Sequence, residues 1–117
     1  MVSLGGFYTL KQHKEFQHIY KKGRSIHSTN LVLFYLPKAN LRYVGFTATK
    51  KIGNAVKRNR AKRRLRSLFC EYSESLKDAT YIFVAKIAIN EATYQQLQSD
   101  FKKVLQKSKS IEELDKC

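Results

Sequence analysis

Apolar residues recur along this chain in two rhythms, and each rhythm marks an element. Phe16, Ile19 and Tyr20 stand three and four positions apart, the spacing of one helical face. A short helix is therefore expected over about Lys11 to Lys22, with Gly23 as its C-terminal cap. Leu31 to Leu36 is a run of β-formers bounded by Asn30 and Pro37 and reads as a strand. The connection Lys38-Ala39-Asn40 then suggests an antiparallel hairpin into a second strand, about Arg42 to Thr49. There Val44, Phe46 and Ala48 alternate with Tyr43, Gly45, Thr47 and Thr49. Gly53-Asn54 marks a turn into a helix from roughly Ala55 to Ser75, with Ala61, Leu65, Leu68, Phe69 and Tyr72 as its apolar stripe. Thr80 to Ile89 is a strongly apolar third strand. Thr93 is placed to cap a last helix, whose inner side would carry Tyr94, Leu97, Phe101, Val104 and Leu105. The order αββαβα is that of one α+β domain over residues 1–117, with helices packed on a small sheet. Residues 1–9 and 108–117 are expected to be irregular.

Charge changes this picture at one place. Nine of the 23 Lys and Arg residues fall between Lys50 and Arg66, and no Asp or Glu interrupts them. Because Ala61, Leu65, Leu68 and Phe69 recur among them at helical spacing, the cations belong to a folded helix and not to a disordered basic tail. Like charge at this density is costly by self-repulsion unless a polyanion neutralises it. A solvated charged face normally carries acids four residues from its bases, and here the first acid is Glu71. The formal charge of +14 and a sequence pI near 10.0 point the same way. Only Asn59 is well placed to read a base edge, which favours recognition of backbone shape, as in structured RNA, over a DNA operator.

Other classes are disfavoured. The longest apolar run, Leu31 to Leu36, is far short of the ~20 residues that span a bilayer, so no membrane role is expected. Met1 to Lys14 lacks a basic start followed by an apolar core, so no secretion signal is expected either. Cys70 and Cys117 have no metal-ligand spacing. Cys70 reads as a small buried hydrophobe, and a reducing, cytoplasmic setting fits best.

Two further sets of residues bear on chemistry. Phe16 and Tyr20 lie one helical turn apart, with Phe34, Tyr35 and Tyr43 on the strands. They are either ordinary core or a stacking platform for unpaired bases. Metal-dependent phosphodiester cleavage wants clustered carboxylates, yet none of the nine acids falls inside a predicted strand. His13, His18 and His27 share no helical face. The chain reads as a binder that contributes no catalytic group and no metal ligand.

From Lys50 to Arg66 the chain closely resembles the protein component of bacterial ribonuclease P. That family's signature is an Ala, then Arg-Asn, then Lys-Arg and a further Arg at helical spacing. Ala55, Arg58, Asn59, Lys62, Arg63 and Arg66 match it. Phe16, Tyr20, Lys21 and Gly23 extend the match, which covers about residues 8–107. Ala61 departs from it, where the family has a bulkier aliphatic residue. The resemblance implies a left-handed βαβ crossover similar to that of a small-subunit ribosomal protein. It implies a Mg²⁺-dependent ribonucleoprotein, one protein per catalytic ribonuclease P RNA, which removes the 5′ leader from precursor tRNA. Catalysis, and most of the Mg²⁺ ligation, would belong to the RNA. Carried over by position, Lys50, Lys51, Arg58, Asn59, Arg60, Lys62, Arg63 and Arg66 would bind the RNA subunit. Phe16, Tyr20 and Phe34 would line a leader-binding cleft, and Lys86, on the third strand, would reach leader phosphates. The alternatives are a structural ribosomal or general RNA-binding protein without an enzymatic role, and a stand-alone nuclease.

Overall fold

A computed structural model describes residues 6–108. One five-stranded sheet carries helices on both faces. The elements are β1 (Tyr8–Thr9), α1 (His13–Lys22), β2 (Arg24–His27), β3 (Leu31–Pro37), β4 (Arg42–Ala48), α2 (Ala55–Tyr72), β5 (Ala79–Ala85) and α3 (Tyr94–Ser108). The expected αββαβα order is present, with β1 and β2 as two short additional strands. Tyr8 and Thr9 are thus paired strand residues, contrary to the irregular start expected, and Ser108 closes α3 as a buried residue. The rest of the tail lies outside the described residues.

The expected hairpin between β3 and β4 does not form. The sheet order is β1-β4-β5-β3-β2, so β5 lies between them. β5 pairs antiparallel with β3, from Pro37 opposite Ala79 to Leu31 opposite Ala85. It pairs parallel with β4, from Arg42 opposite Ala79 to Ala48 opposite Ala85. The physical reason is burial. Of the seven residues of β5 only Val84 is even partly exposed, and the centre of the sheet is where a strand apolar on both faces is covered twice. The segment between β3 and β4 steps around the start of β5. Lys38 N–H donates to the Asp78 carbonyl at 3.3 Å, Asn40 N–H donates to Asp78 Oδ2 at 3.0 Å, and Arg42 donates to Asp78 Oδ1 at 2.9 Å. Asn40 itself sits at φ 64°, a left-handed conformation that Asn tolerates. The hairpin that does form joins β2 to β3 through a turn closed by Ser28 N–H to the Leu31 carbonyl, 2.9 Å.

Alternation along the strands divides two cores. Leu31, Leu33, Tyr35, Val44, Tyr81, Phe83 and Ala85 face α2 and α3, meeting Ala61, Leu65, Leu68, Phe69, Leu97, Phe101, Val104 and Leu105. Phe34, Leu36, Tyr43, Ile82 and Val84 face α1 in a smaller cluster with Leu10, Phe16, Ile19 and Tyr20. Tyr35 is therefore main core and not part of an aromatic surface. α2 connects β4 to its parallel neighbour β5, which makes the expected βαβ unit. α3 is capped at Thr93, whose Oγ1 accepts from Gln96 N–H at 3.1 Å while Gln96 Oε1 accepts from Thr93 N–H at 3.0 Å. Asp100 Oδ2 pins α3 to the sheet by accepting from the backbone N–H and side-chain amide of buried Asn30, at 3.0 and 2.7 Å.

Three further expectations change. Gly23 follows α1 and donates its N–H to Ile19 O at 2.8 Å, but its φ of −82° is not left-handed. Its lack of a side chain serves packing, since a Cβ there would meet Ile19 O at 2.9 Å and Tyr35 O at 3.0 Å. Cys70 is exposed, because it falls on the side of α2 opposite the apolar stripe. Tyr94 is 49% exposed, with its hydroxyl donating to Glu71 on the neighbouring α2.

Candidate nucleic-acid interface

α2 begins where the backbone demands it. Gly53 has φ +138°, and a Cβ there would press on the Lys57 side chain at 2.8 Å. Asn54 then caps the helix, its Oδ1 accepting from Lys57 N–H at 3.0 Å. Thr49 leads into a 3-10 turn, Lys50–Ile52, which buries Ile52 and leaves both lysines exposed. No acid stands in the first turn of α2, so Lys57 and Arg58 add to the positive end of the helix dipole and are not offset by a carboxylate.

The apolar stripe on the sheet turns the cations outward in graded fashion. Asn59, Arg60, Arg63 and Arg66 are exposed, and Lys62 and Arg58 are half-buried along the flanks. Arg66 lies over the ring of Phe46, 5.4 Å from its centroid, which steadies the guanidinium without neutralising it. Among the described residues no carboxylate forms an ion pair with any cation of α2. Two arginines, however, serve the fold. Arg58 donates to the Gly53 carbonyl at 2.6 Å, tying the helix to its own entry turn. Arg64 donates to the Ile89 and Ala92 carbonyls, each at 2.8 Å, and so latches α2 to the 3-10 segment Ile87–Glu91. Burial, and secondarily the nearby Arg60 charge, lowers the Arg64 pKa. Arg64 is thereby removed from the outward set.

On the opposite face of the sheet α1 packs against β3 and β5. Phe16 and Tyr20 hang from it as half-buried rings 6.3 Å apart, and Tyr20 meets Phe34 edge-on at 4.8 Å. A hollow beside them is lined by Lys11, His13, Phe16, Tyr20 and Thr47. Phe34, expected in the same cleft, touches Tyr20 but is not among the residues that line the hollow. Lys86, expected within the third strand, comes just after β5, and its ammonium donates to the Ser28 carbonyl at 2.6 Å. It is absent from the lining of this hollow. Sequence reasoning gave Lys11 and Thr47 no role, since no local pattern signals one, and weighed His13 only for acid/base chemistry and not for this hollow. It also passed over Gly45, where a glycine inside a strand does signal close approach by another group.

Four of the described acids are engaged elsewhere. Glu15 Oε1 accepts from the Lys11 and Gln12 N–H groups at the start of α1, 3.2 and 3.0 Å. Asp78 is held by Arg42, Asp100 by Asn30, and Glu71 by Tyr94 and Gln98. No three His, Cys, Asp or Glu side chains converge among the described residues, so the donor set does not fit a protein-held metal pair. No helix among them is long and apolar enough to cross a membrane.

A cationic helix on one side of a sheet and an aromatic hollow on the other define a small RNA-binding protein. The Ribonuclease P family profile matches residues 4–109. The ribonuclease P protein component of a Nitratiruptor species is 43% identical over 104 residues, covering 89% of this chain and 94% of that one. That of Bacillus pumilus is 38% identical over 103 residues, covering 85% and 86%. Among solved structures, Staphylococcus aureus RNase P protein superposes with a TM-score of 0.80 at 31% identity, covering 89% of this chain and 97% of that one. The chain belongs to the ribonuclease P protein family: it is the protein component of a tRNA-processing endoribonuclease and works with an RNA partner in that ribonucleoprotein.

Proposed function

We propose that this chain binds the catalytic RNA of ribonuclease P through Lys50, Lys51 and the outward residues of α2, and holds the single-stranded 5′ leader of precursor tRNA in the hollow beside α1. The observation that carries this reading is the row Asn59, Arg60, Arg63 and Arg66, exposed and without a carboxylate partner among the described residues. Such a row releases counterions when laid on phosphates, a favourable term that falls steeply with salt. Arg66 adds a planar fork suited to phosphate oxygens. The half-exposed rings of Phe16 and Tyr20 supply stacking faces that accept any base.

Bond cleavage belongs to the RNA in this reading. The dispersed carboxylates support it, because Glu15, Glu71, Asp78 and Asp100 already serve a cap or a clasp within the fold. Mg²⁺ would be held mainly by RNA oxygens. The protein's part is to bind, to orient the leader and to lower repulsion between two polyanions, with one copy per RNA subunit. A structural ribosomal role would need the first surface but not the second.

The test is cleavage of precursor tRNA by the RNA subunit with and without this chain, across Mg²⁺ concentrations. Addition of the chain is expected to lower the Mg²⁺ requirement and to favour precursor over mature tRNA. Equal affinity for the two tRNAs would remove the leader assignment.

A further inference from the structure

The hollow beside Phe16 does not end at α1. Lys11 is shared between it and a second depression formed with Tyr8, Thr9 and Tyr43. Tyr43 in turn borders a larger cavity of about 590 Å³ on the far flank of α1, where Lys14, Lys38 and Leu41 stand over a floor that includes Leu10. Sharing Lys11 and Tyr43 as borders, the three adjoin one another as a trough around the N-terminal end of α1.

Its middle is built and held in place. Phe7 is fully buried, edge-on to Phe69 at 5.1 Å and to Tyr81 at 5.6 Å. Alternation then sends Tyr8 to the α1 face, where its ring stands 5.9 Å from that of Tyr43, with Tyr8 47% exposed. An exposed aromatic ring anchored by a buried neighbour is a stacking platform with little entropy left to lose. The cations along the trough, Lys11, Lys14 and Lys38, have no carboxylate partner among the described residues. Glu15, the one acid of the lining, has its charge engaged by the N-terminal amides of α1.

We infer that this trough binds a further stretch of single-stranded RNA, the continuation of the leader beyond the nucleotides held beside Phe16. Bases stack on Tyr8, and phosphates lie against Lys11, Lys14 and Lys38. The inference rests on the leader assignment above. It adds a second site, which shorter leaders do not reach.

The experiment uses the full chain assembled with its RNA subunit and a series of precursor tRNAs with progressively longer leaders. Affinity is expected to rise in two steps, the second worth about fivefold or more, a lower figure for one base stacked on an aromatic ring. Tyr8→Ala with Lys38→Ala should abolish the second step and leave the first, while Tyr8→Phe should retain both. Circular dichroism and thermal melting confirm that the variants fold. The trough assignment is overturned if wild type shows only the first step, or if the double variant keeps the second. It is also overturned if the double variant instead binds the RNA subunit more weakly with no precursor present, since the trough would then serve that partner. Failure of any precursor to outbind mature tRNA would remove the Phe16 hollow and this inference together.

Discussion

Gly45 lies beneath the ring of Phe16 so closely that a Cβ on it would stand 2.6 Å from Phe16 Cε1 and 2.8 Å from Cζ. The ring cannot swing aside as a lysine tip would, because Tyr20 and Leu10 flank it. Gly45→Ala is therefore expected to lift α1 from the sheet, at about 1–3 kcal/mol of stability, the usual range for overpacking. Thermal melting reads the lost stability. A lost preference for precursor over mature tRNA reads the displaced ring, and Phe16→Leu in the same chain should recover stability without recovering that preference.

Arg63 and Arg64 are neighbours with opposite duties. Arg63→Ala is expected to weaken assembly with the RNA subunit while leaving thermal stability within about 0.5 kcal/mol, as for a free surface position. Arg64→Ala removes the donor to the Ala92 carbonyl and one of two donors to the Ile89 carbonyl, which keeps the Ala92 N–H at 3.2 Å, and should cost about 1–3 kcal/mol. Denaturant unfolding separates the two. An equal loss of stability in both variants would contradict the assignment.

Salt should act on assembly more than on folding. The logarithm of the RNA-binding constant is expected to fall linearly with the logarithm of salt concentration, each neutralised phosphate adding about 0.7–0.9 to the slope. Replacing Arg63 and Arg66 together should flatten that slope by about one to two units. An unchanged slope would mean that neither guanidinium meets phosphate.

Acid should loosen the junction between β4 and β5. The side-chain hydrogen bond from Arg42, then the backbone hydrogen bond from Asn40, holds the Asp78 carboxyl below its ordinary pKa. A carboxyl depressed on folding stabilises the protein above its unfolded value of about 3.9, and that contribution is lost as pH falls through the folded value. Asp78→Asn should therefore lower stability at neutral pH and blunt its decline between about pH 5 and the acid limb, measured by melting temperature against pH.

Much of the architecture was legible from periodicity. The stripe Ala61, Leu65, Leu68 and Phe69 and the Thr93 cap depend on local spacing, and both stand where the pattern put them. The β3–β4 pairing was not legible, because a short connection says how near two strands lie but not whether a third enters between them. β1 and β2 escaped notice for a related reason: strands of two and four residues at a sheet edge carry too few alternations to register. The outward face of α2 was readable as charge. What charge alone did not reveal is that Arg58 and Arg64 turn back onto backbone carbonyls, since that depends on where Gly53 and the Ile87–Glu91 turn come to rest. Residue type alone sends Tyr94 and Cys70 inward, and geometry places them outside.

β5 meets protein on both of its sides: Tyr81 and Phe83 support the helices above, Ile82 and Val84 the helix below. Alternation gives each residue of that strand to one face, so a substitution at Tyr81 or Phe83 first disturbs the packing under α2 and α3, and one at Ile82 or Val84 the packing under α1. Alleles that uncouple the two proposed surfaces should therefore fall in β5 as two alternating sets, besides those in α1 and α2.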